Sequence, residues 1–154
     1  MEKDYKRIIK RFSINKVVNL LNSIFFSYEG RTTTCIATYS FNLAYLTNNI
    51  YSFNSRYIYK LAKQFGAIGT FGQSLCFKFT SKSLCHSEDQ YDRKIGEKLA
   101  TIKTKKQAYN LAFQIIELIQ HEIFETSINT TFCKMELDDM MKAQNNYIKK
   151  LWLQ

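Results

Sequence analysis

Hydrophobic residues recur every second position in two parts of the chain, which is the period of a β-strand with one buried face. The first part is 32–41 and the second is 74–84; their alternating apolar positions are Cys35, Ala37, Tyr39, Phe41, Leu75, Phe77 and Phe79. The turn signal Glu29-Gly30-Arg31 separates the β-prone run 25–28 from 32–41. It predicts a β-hairpin.

Elsewhere the apolar positions recur at intervals of three and four residues, the helical period. They predict a helical region over 4–26, a short helix over 56–65, a long helix from about 89 to 125 and a last helix over 135–152. Ser55 is the expected N-cap of the short helix and Gly66 its stop. The sequence thus predicts one α+β domain, 1–154. Its core, 28–126, is a small antiparallel sheet packed on the long helix, and extra N- and C-terminal helices (4–26 and 135–152) lie at the periphery.

The long helix carries the strongest periodic pattern, and only Lys106 and Gln120 interrupt its apolar stripe. Gly96 lies one turn into this helix, where a glycine costs stability and therefore indicates close packing or ligand approach. We expect apolar residues of the stripe to pack on the sheet that holds Phe77 and Phe79. These residues are Ile95, Leu99, Ile102, Phe113 and Ile116.

The positive net charge of the chain favours anionic partners. The chain has 22 basic and 13 acidic residues, a formal charge of +9, and residues 107–154 hold only four of the basic ones. Such a field favours phosphate-bearing or acidic partners, although a basic surface kept for solubility would have the same charge. The absence of proline and the abundance of Ile, Asn, Lys, Phe and Tyr indicate AT-rich coding, as in some phages, bacteria and organelles.

The cysteine pattern and the length of the apolar runs indicate in which cellular compartment the protein is located. The four cysteines form no C-x-x-C pair and match no zinc spacing. The first residues lack the apolar stretch of a signal peptide, and no apolar run is long enough to span a membrane. We therefore expect free thiols and a cytoplasmic location in a host cell.

The two histidines are candidates for catalytic or metal-binding residues. His86 follows Cys85, but adjacent residues of a strand point to opposite faces, so the two side chains do not converge. His121-Glu122 begins like a zinc-protease helix, yet Glu125 stands where the second histidine would be. Glu117, His121 and Glu125 are spaced as on an ordinary solvated helix face. We expect no enzyme activity, no metal and no cofactor.

The segment from Cys85 to Ala100 resembles a pattern found in small phage proteins and in a bacterial family with a double-stranded-RNA-binding-like fold. Two departures are Ser87 in place of a proline and Lys103 in place of an arginine. The stretch 104–108, Thr-Lys-Lys-Gln-Ala, is also similar to the phosphate-contacting start of the second helix in double-stranded-RNA-binding domains. The matching positions of the first pattern are Cys85, His86, Asp89, Tyr91, Asp92, Ile95, Gly96, Leu99 and Ala100.

These resemblances imply a small α+β fold, akin to that of phage sponges that capture signalling nucleotides (the Thoeris anti-defence type). They and the charge lead us to expect a phage or mobile-element protein that binds nucleic acid or a nucleotide and counteracts host defence. The alternatives are an anti-CRISPR-type inhibitor that binds a nuclease, and an RNA-binding structural subunit of an organellar or ribosomal particle. The terminal helices are candidates for a homo-oligomer interface. The expected ligand contacts are His86, Lys98, Lys103, Lys105 and Lys106.

Overall fold

The computed structural model describes residues 17–20, 24–46, 53–85, 92–122 and 127–152. A 3-10 helix, Leu43–Leu46, follows the third strand of these ranges. The other elements, in chain order, are β1 (Val18–Leu20), β2 (Phe25–Glu29), β3 (Thr32–Asn42), α1 (Ser55–Phe65), β4 (Gly69–Phe71), β5 (Ser74–Leu84), α2 (Arg93–Glu122) and α3 (Ser127–Trp152). The α+β class predicted from sequence is confirmed.

The sheet is antiparallel and is built around the long strands β3 and β5. These two strands pair along their whole length, from Thr32 opposite Leu84 to Asn42 opposite Ser74. On its other side β3 pairs with β1 and β2, while β4 pairs with only the first three residues of β5. Residues at odd positions of β3 and β5 face the core, so even positions form the outer face of the sheet.

Several local predictions are confirmed and two are corrected. The hairpin 25–41, the strand 74–84 and the stop at Gly66, which has a left-handed φ of 76°, all form as predicted. The helix α1 is capped by Asn54, whose side chain accepts from the Tyr57 N–H, and not by Ser55. The helix predicted over 4–26 is wrong at 18–20 and 25–26, where the chain is strand. Short apolar runs fit both the helical and the strand period, and pairing with β3 makes these segments strands. Residues 4–16 and 21–23 lie outside the described ranges.

The helix α2 contacts the sheet through small residues. The hydroxyls of Ser81 on β5 and Thr104 on α2 lie 2.5 Å apart, and both reach the Ala100 carbonyl oxygen. Further along, Ala108 and Ala112 are fully buried. Small side chains at four-residue spacing let the helix approach the strands closely along this face. Large residues of α2, including Ile116 of the predicted stripe, belong to the same core as Phe77.

The side of α2 that carries the predicted apolar stripe contacts α3 at several positions. Lys106 donates to Asn145, Gln120 donates to Thr131, and the Lys134 ammonium lies 5.1 Å from the centre of the Phe113 ring. Phe113 is half-buried and packs against the core that contains Phe77, and its ring also lies beside Lys134 of α3. The helix α2 lies between the sheet and α3, and buried residues of α3 (Cys133 and Leu137) belong to the same core as β3 and β5.

Gly96 has the packing role that its position predicts. A Cβ atom at this position would lie 2.7 Å from the Thr33 Oγ1 atom and 3.4 Å from its Cβ. We expect Gly96→Ala to lower the free energy of unfolding by about 1 kcal/mol, because overpacking of about 1–3 kcal/mol exceeds the helix-propensity gain of about 1 kcal/mol. Urea denaturation of the purified variant measures this change.

A double-mutant cycle with Thr33→Ala isolates the cause. Once the Thr33 hydroxyl is removed, Gly96→Ala should become neutral or stabilising by up to about 1 kcal/mol. Stabilisation of the otherwise unchanged chain by Gly96→Ala would contradict the close approach of α2 to β3.

Candidate nucleic-acid interface

Beyond Cys76, the outer edge of β5 has no partner strand among the described residues. Along this part of the strand, Lys78, Thr80 and Lys82 are exposed on the outer face. The sequence produces this arrangement by alternating them with Phe77, Phe79 and Ser81, which face the core. A row of lysine and hydroxyl side chains therefore runs beside an open sheet edge.

A polar face of α2 lies next to this edge. Lys103, Lys106, Gln107 and Asn110 are spaced at i, i+3, i+4 and i+7, so they share one side of the helix. Small residues already occupy the sheet-facing side, and this polar side borders the gap between α2 and β5. The pattern was present in the sequence and would have identified Gln107 and Asn110, which the lysine-based prediction missed.

Strand and helix together line an open groove of about 500 Å³. This volume lies within the roughly 300–1,000 Å³ of small-molecule sites. Side chains from both walls offer ammonium, amide and hydroxyl groups, all of which can donate hydrogen bonds. The lining residues are Thr80, Ser81, Lys82, Lys103, Lys106, Gln107 and Asn110.

Hydrogen bonds orient two of the groove lysines. The Lys103 ammonium donates to the Lys82 backbone carbonyl oxygen at 3.1 Å, and the Lys106 ammonium donates to the side chain of Asn145 on α3. Each ammonium has three donors, so each keeps two for a ligand. These bonds preorganise the lysines and reduce the conformational entropy that their side chains lose when a ligand binds.

The groove has an uncompensated positive charge. No ion pair joins Lys82, Lys103 or Lys106 to a carboxylate of the described residues. By contrast, Lys60 pairs with Glu122 and Lys134 with Glu117, both toward the far end of α2. Three ammonium groups around one open groove create a positive potential that attracts phosphate groups.

The structure separates the lysines that the sequence grouped together. Lys103 and Lys106 line the groove, whereas Lys105 is two positions from Lys103 and lies about 160° away around the helix. Lys98 shares the side of Lys105, seven residues away, and both are exposed. The Lys105 ammonium lies 5.9 Å from the Tyr109 ring centre. His86 lies outside the described residues.

The basic residues of α1 and of the β2–β3 turn do not join the groove. Lys60 contacts Glu122, which is 19 residues from Lys103 and therefore about 28 Å along α2. The Arg31 guanidinium contacts the Cys85 sulfur at 3.6 Å. The sheet, its β2–β3 turn and α1 carry six basic residues in all. Lys82 lines the groove and Lys78 adjoins it on the same face, whereas the others are Arg31, Arg56, Lys60 and Lys63.

The remaining reactive side chains have structural surroundings. Cys35 and Cys133 are fully buried, and burial raises the pKa of the Cys133 thiol, which keeps it protonated at neutral pH. Near His121, Glu117 is paired with Lys134, and the described ranges contain no cluster of three His, Cys, Asp or Glu side chains suited to a metal. Glu125 lies outside those ranges.

Two wider observations complete this description. None of the described helices combines the length and apolar character needed to cross a membrane. No family model matches the chain, and no curated protein or solved structure has significant similarity to it.

Proposed function

We propose that this chain is a non-enzymatic binding protein that holds the phosphate groups of a nucleic acid or nucleotide in the groove between β5 and α2. The observation that carries the proposal is the convergence of Lys82, Lys103 and Lys106 on one open groove. Phosphate oxygens accept charge-assisted hydrogen bonds from ammonium groups, and these bonds are about twice as strong as neutral ones. Gln107 and Asn110 add neutral donors at the same place.

The biological setting of this proposal comes from the sequence resemblance to small phage proteins. We place the protein in the cytoplasm of a host cell, where a phage-encoded or mobile-element binder would counteract a defence system that uses nucleic acid or a signalling nucleotide. The groove lining consists of ammonium, amide and hydroxyl groups, and the proposal assigns them ligand binding and no catalytic step.

Salt dependence tests the proposal most directly. Fluorescence anisotropy with a labelled single strand should give a plot of log affinity against log salt with a slope of about −2, since three lysines each contribute about −0.7. Affinity should therefore fall about 20-fold between 50 and 200 mM salt. Nucleic acid copurifying with the protein, measured as a raised absorbance ratio of 260 to 280 nm, would support the same conclusion.

Nucleotides are tested in parallel by thermal shift. A nucleotide present at about 100 times its dissociation constant should add about 2.7 kcal/mol to stability. If neither oligonucleotides nor nucleotides bind, the proposal is wrong. The groove lysines would then be better explained by binding to an acidic surface of a protein, such as a nuclease that this chain inhibits.

A further inference from the structure

The outer face of the sheet continues from the groove across β5, β3 and β2. Its side chains are exposed on β2 and on β5 beyond Cys76, and they are half-buried on β3, where Ser40 is buried. Strand register places Phe25, Ile36 and Thr80 in one row across the three strands, and Ser27, Thr34 and Lys82 in the next. The outer-face positions of the described strands carry one acidic side chain, Glu29, and two lysines, Lys78 and Lys82. Positive charge and neutral hydroxyl groups thus dominate this face.

An exposed aromatic ring lies on the same face. Phe25 is 63% exposed although it pairs directly with Ile36 of the central strand. At the opposite end of the face, Phe71 of β4 is 84% exposed opposite Ser74. An exposed aromatic ring close to lysine side chains can stack on an unpaired base while the ammonium groups contact phosphates.

The spacing of these groups suits an extended chain of nucleotides. Adjacent strands are about 4.8 Å apart, so Phe25 is about 10 Å from Thr80 across the sheet. Lys78 and Lys82 flank Thr80 and lie about 13 Å apart along β5. Ammonium groups on β5 and α2 can therefore contact consecutive phosphates while a base reaches the Phe25 ring.

We propose that the ligand class of the groove is single-stranded nucleic acid, whose backbone follows Lys78, Lys82 and Lys103 and whose base stacks on Phe25. This inference rests on the proposed phosphate-binding function and adds the outer face of the sheet to the site. Stacking on an aromatic ring requires an unpaired base, because the faces of paired bases are covered by their neighbours in a duplex. A duplex would use the lysines alone and would gain nothing from Phe25.

The test compares three aromatic variants on two probes, a labelled oligothymidylate of about 20 nucleotides and a duplex of equal length. Phe25→Ala should weaken binding of the single strand about tenfold and change duplex binding less than about twofold. Phe25→Tyr should retain the single-strand affinity, because it keeps the ring. Tyr59→Ala is the matched control, since Tyr59 is 68% exposed on α1 and lies outside this face.

Phe25→Leu separates stacking from loss of fold. Leucine keeps the apolar contact with Ile36 but lacks a π-face, so this variant should melt like the unsubstituted chain and still lose single-strand affinity. Equal binding of duplex and single strand by the unsubstituted chain, or equal affinities of the Phe25→Ala and Tyr59→Ala variants for the single strand, would overturn the inference and leave the phosphate-binding proposal standing. If the unsubstituted chain binds neither probe, the proposed function itself has failed.

Discussion

Replacing Lys82 and Lys103 together by Glu should weaken binding of a single-stranded oligonucleotide at least about 100-fold at low salt. Each substitution converts an attraction to phosphate into a repulsion at a short distance. A combined loss of about 2.7 kcal/mol corresponds to 100-fold in the dissociation constant. The two side chains come from opposite walls of the groove, and the Lys103 ammonium donates to the Lys82 backbone carbonyl oxygen, so the two substitutions change one site. Anisotropy titrations at 50 mM salt measure the loss.

The matched control is the double variant Lys98→Glu and Lys105→Glu. It makes the same change in net charge, but both substitutions are on α2, on the side opposite Lys103. We expect it to lower affinity less than about threefold when both double variants are compared at 0.1 M salt, where charges beyond a Debye length of about 10 Å are largely screened. Equal losses in the two double variants would mean that the overall field, and not the groove, attracts the ligand.

Secondary structure was predictable wherever one period dominated. The strand over 74–84 and the short helix ending at Gly66 follow from alternation and from a glycine stop, both of which are local signals. The apolar residues around Val18 fit a helical spacing and predict a helix, yet residues 18–20 form a strand. Pairing with β3 is a long-range contact that no local period contains.

The small-residue face of α2 that meets the sheet was missed for a different reason. A search for large apolar residues selects the stripe containing Phe113, whereas the close contact with β3 and β5 is made through Gly96, Ala100 and Thr104. Small residues contribute little to a hydrophobic pattern, but they set how close two elements can lie. The glycine was the visible signal of this close approach.

The chemical character of the site could be predicted from the sequence, but the residues that line it could not. Net charge and the lysine-rich segment identified α2 as basic, and Lys103 and Lys106 do line the groove. Lys105 adjoins both in sequence and lies on another side of the helix, because consecutive helical residues diverge by about 100°. Lys82 was one of six basic residues from the sheet and short helix, and only the register of β5 against α2 distinguishes it.

Truncating Leu99 to Ala should lower the free energy of unfolding by about 2–5 kcal/mol. Leu99 is only 6% exposed, so the substitution removes three buried carbon atoms and leaves a cavity in α2. The antiparallel contacts that join Lys106 to Asn145 and Gln120 to Thr131, continued by two turns, bring Leu99 level with the last turn of α3, where Leu151 is buried. We therefore expect the loss to loosen the end of α3, and urea denaturation with hydrogen exchange measures both effects.

Leu84→Ala is the matched control for this prediction. Leu84 is 59% exposed on the outer face of β5, so the same truncation should cost about 0.5 kcal/mol or less. If both variants lose equally little stability, Leu99 is not part of the contact between α2 and α3. A loss confined to Leu99→Ala, with faster exchange in the last turn of α3, would establish that α3 is held against α2 by apolar packing beyond its Lys106–Asn145 hydrogen bond. Because Lys106 of the groove donates to Asn145 of α3, the Leu99→Ala variant should also bind single strands less tightly under conditions where it remains folded, whereas Leu84→Ala should leave the Lys106–Asn145 contact unchanged.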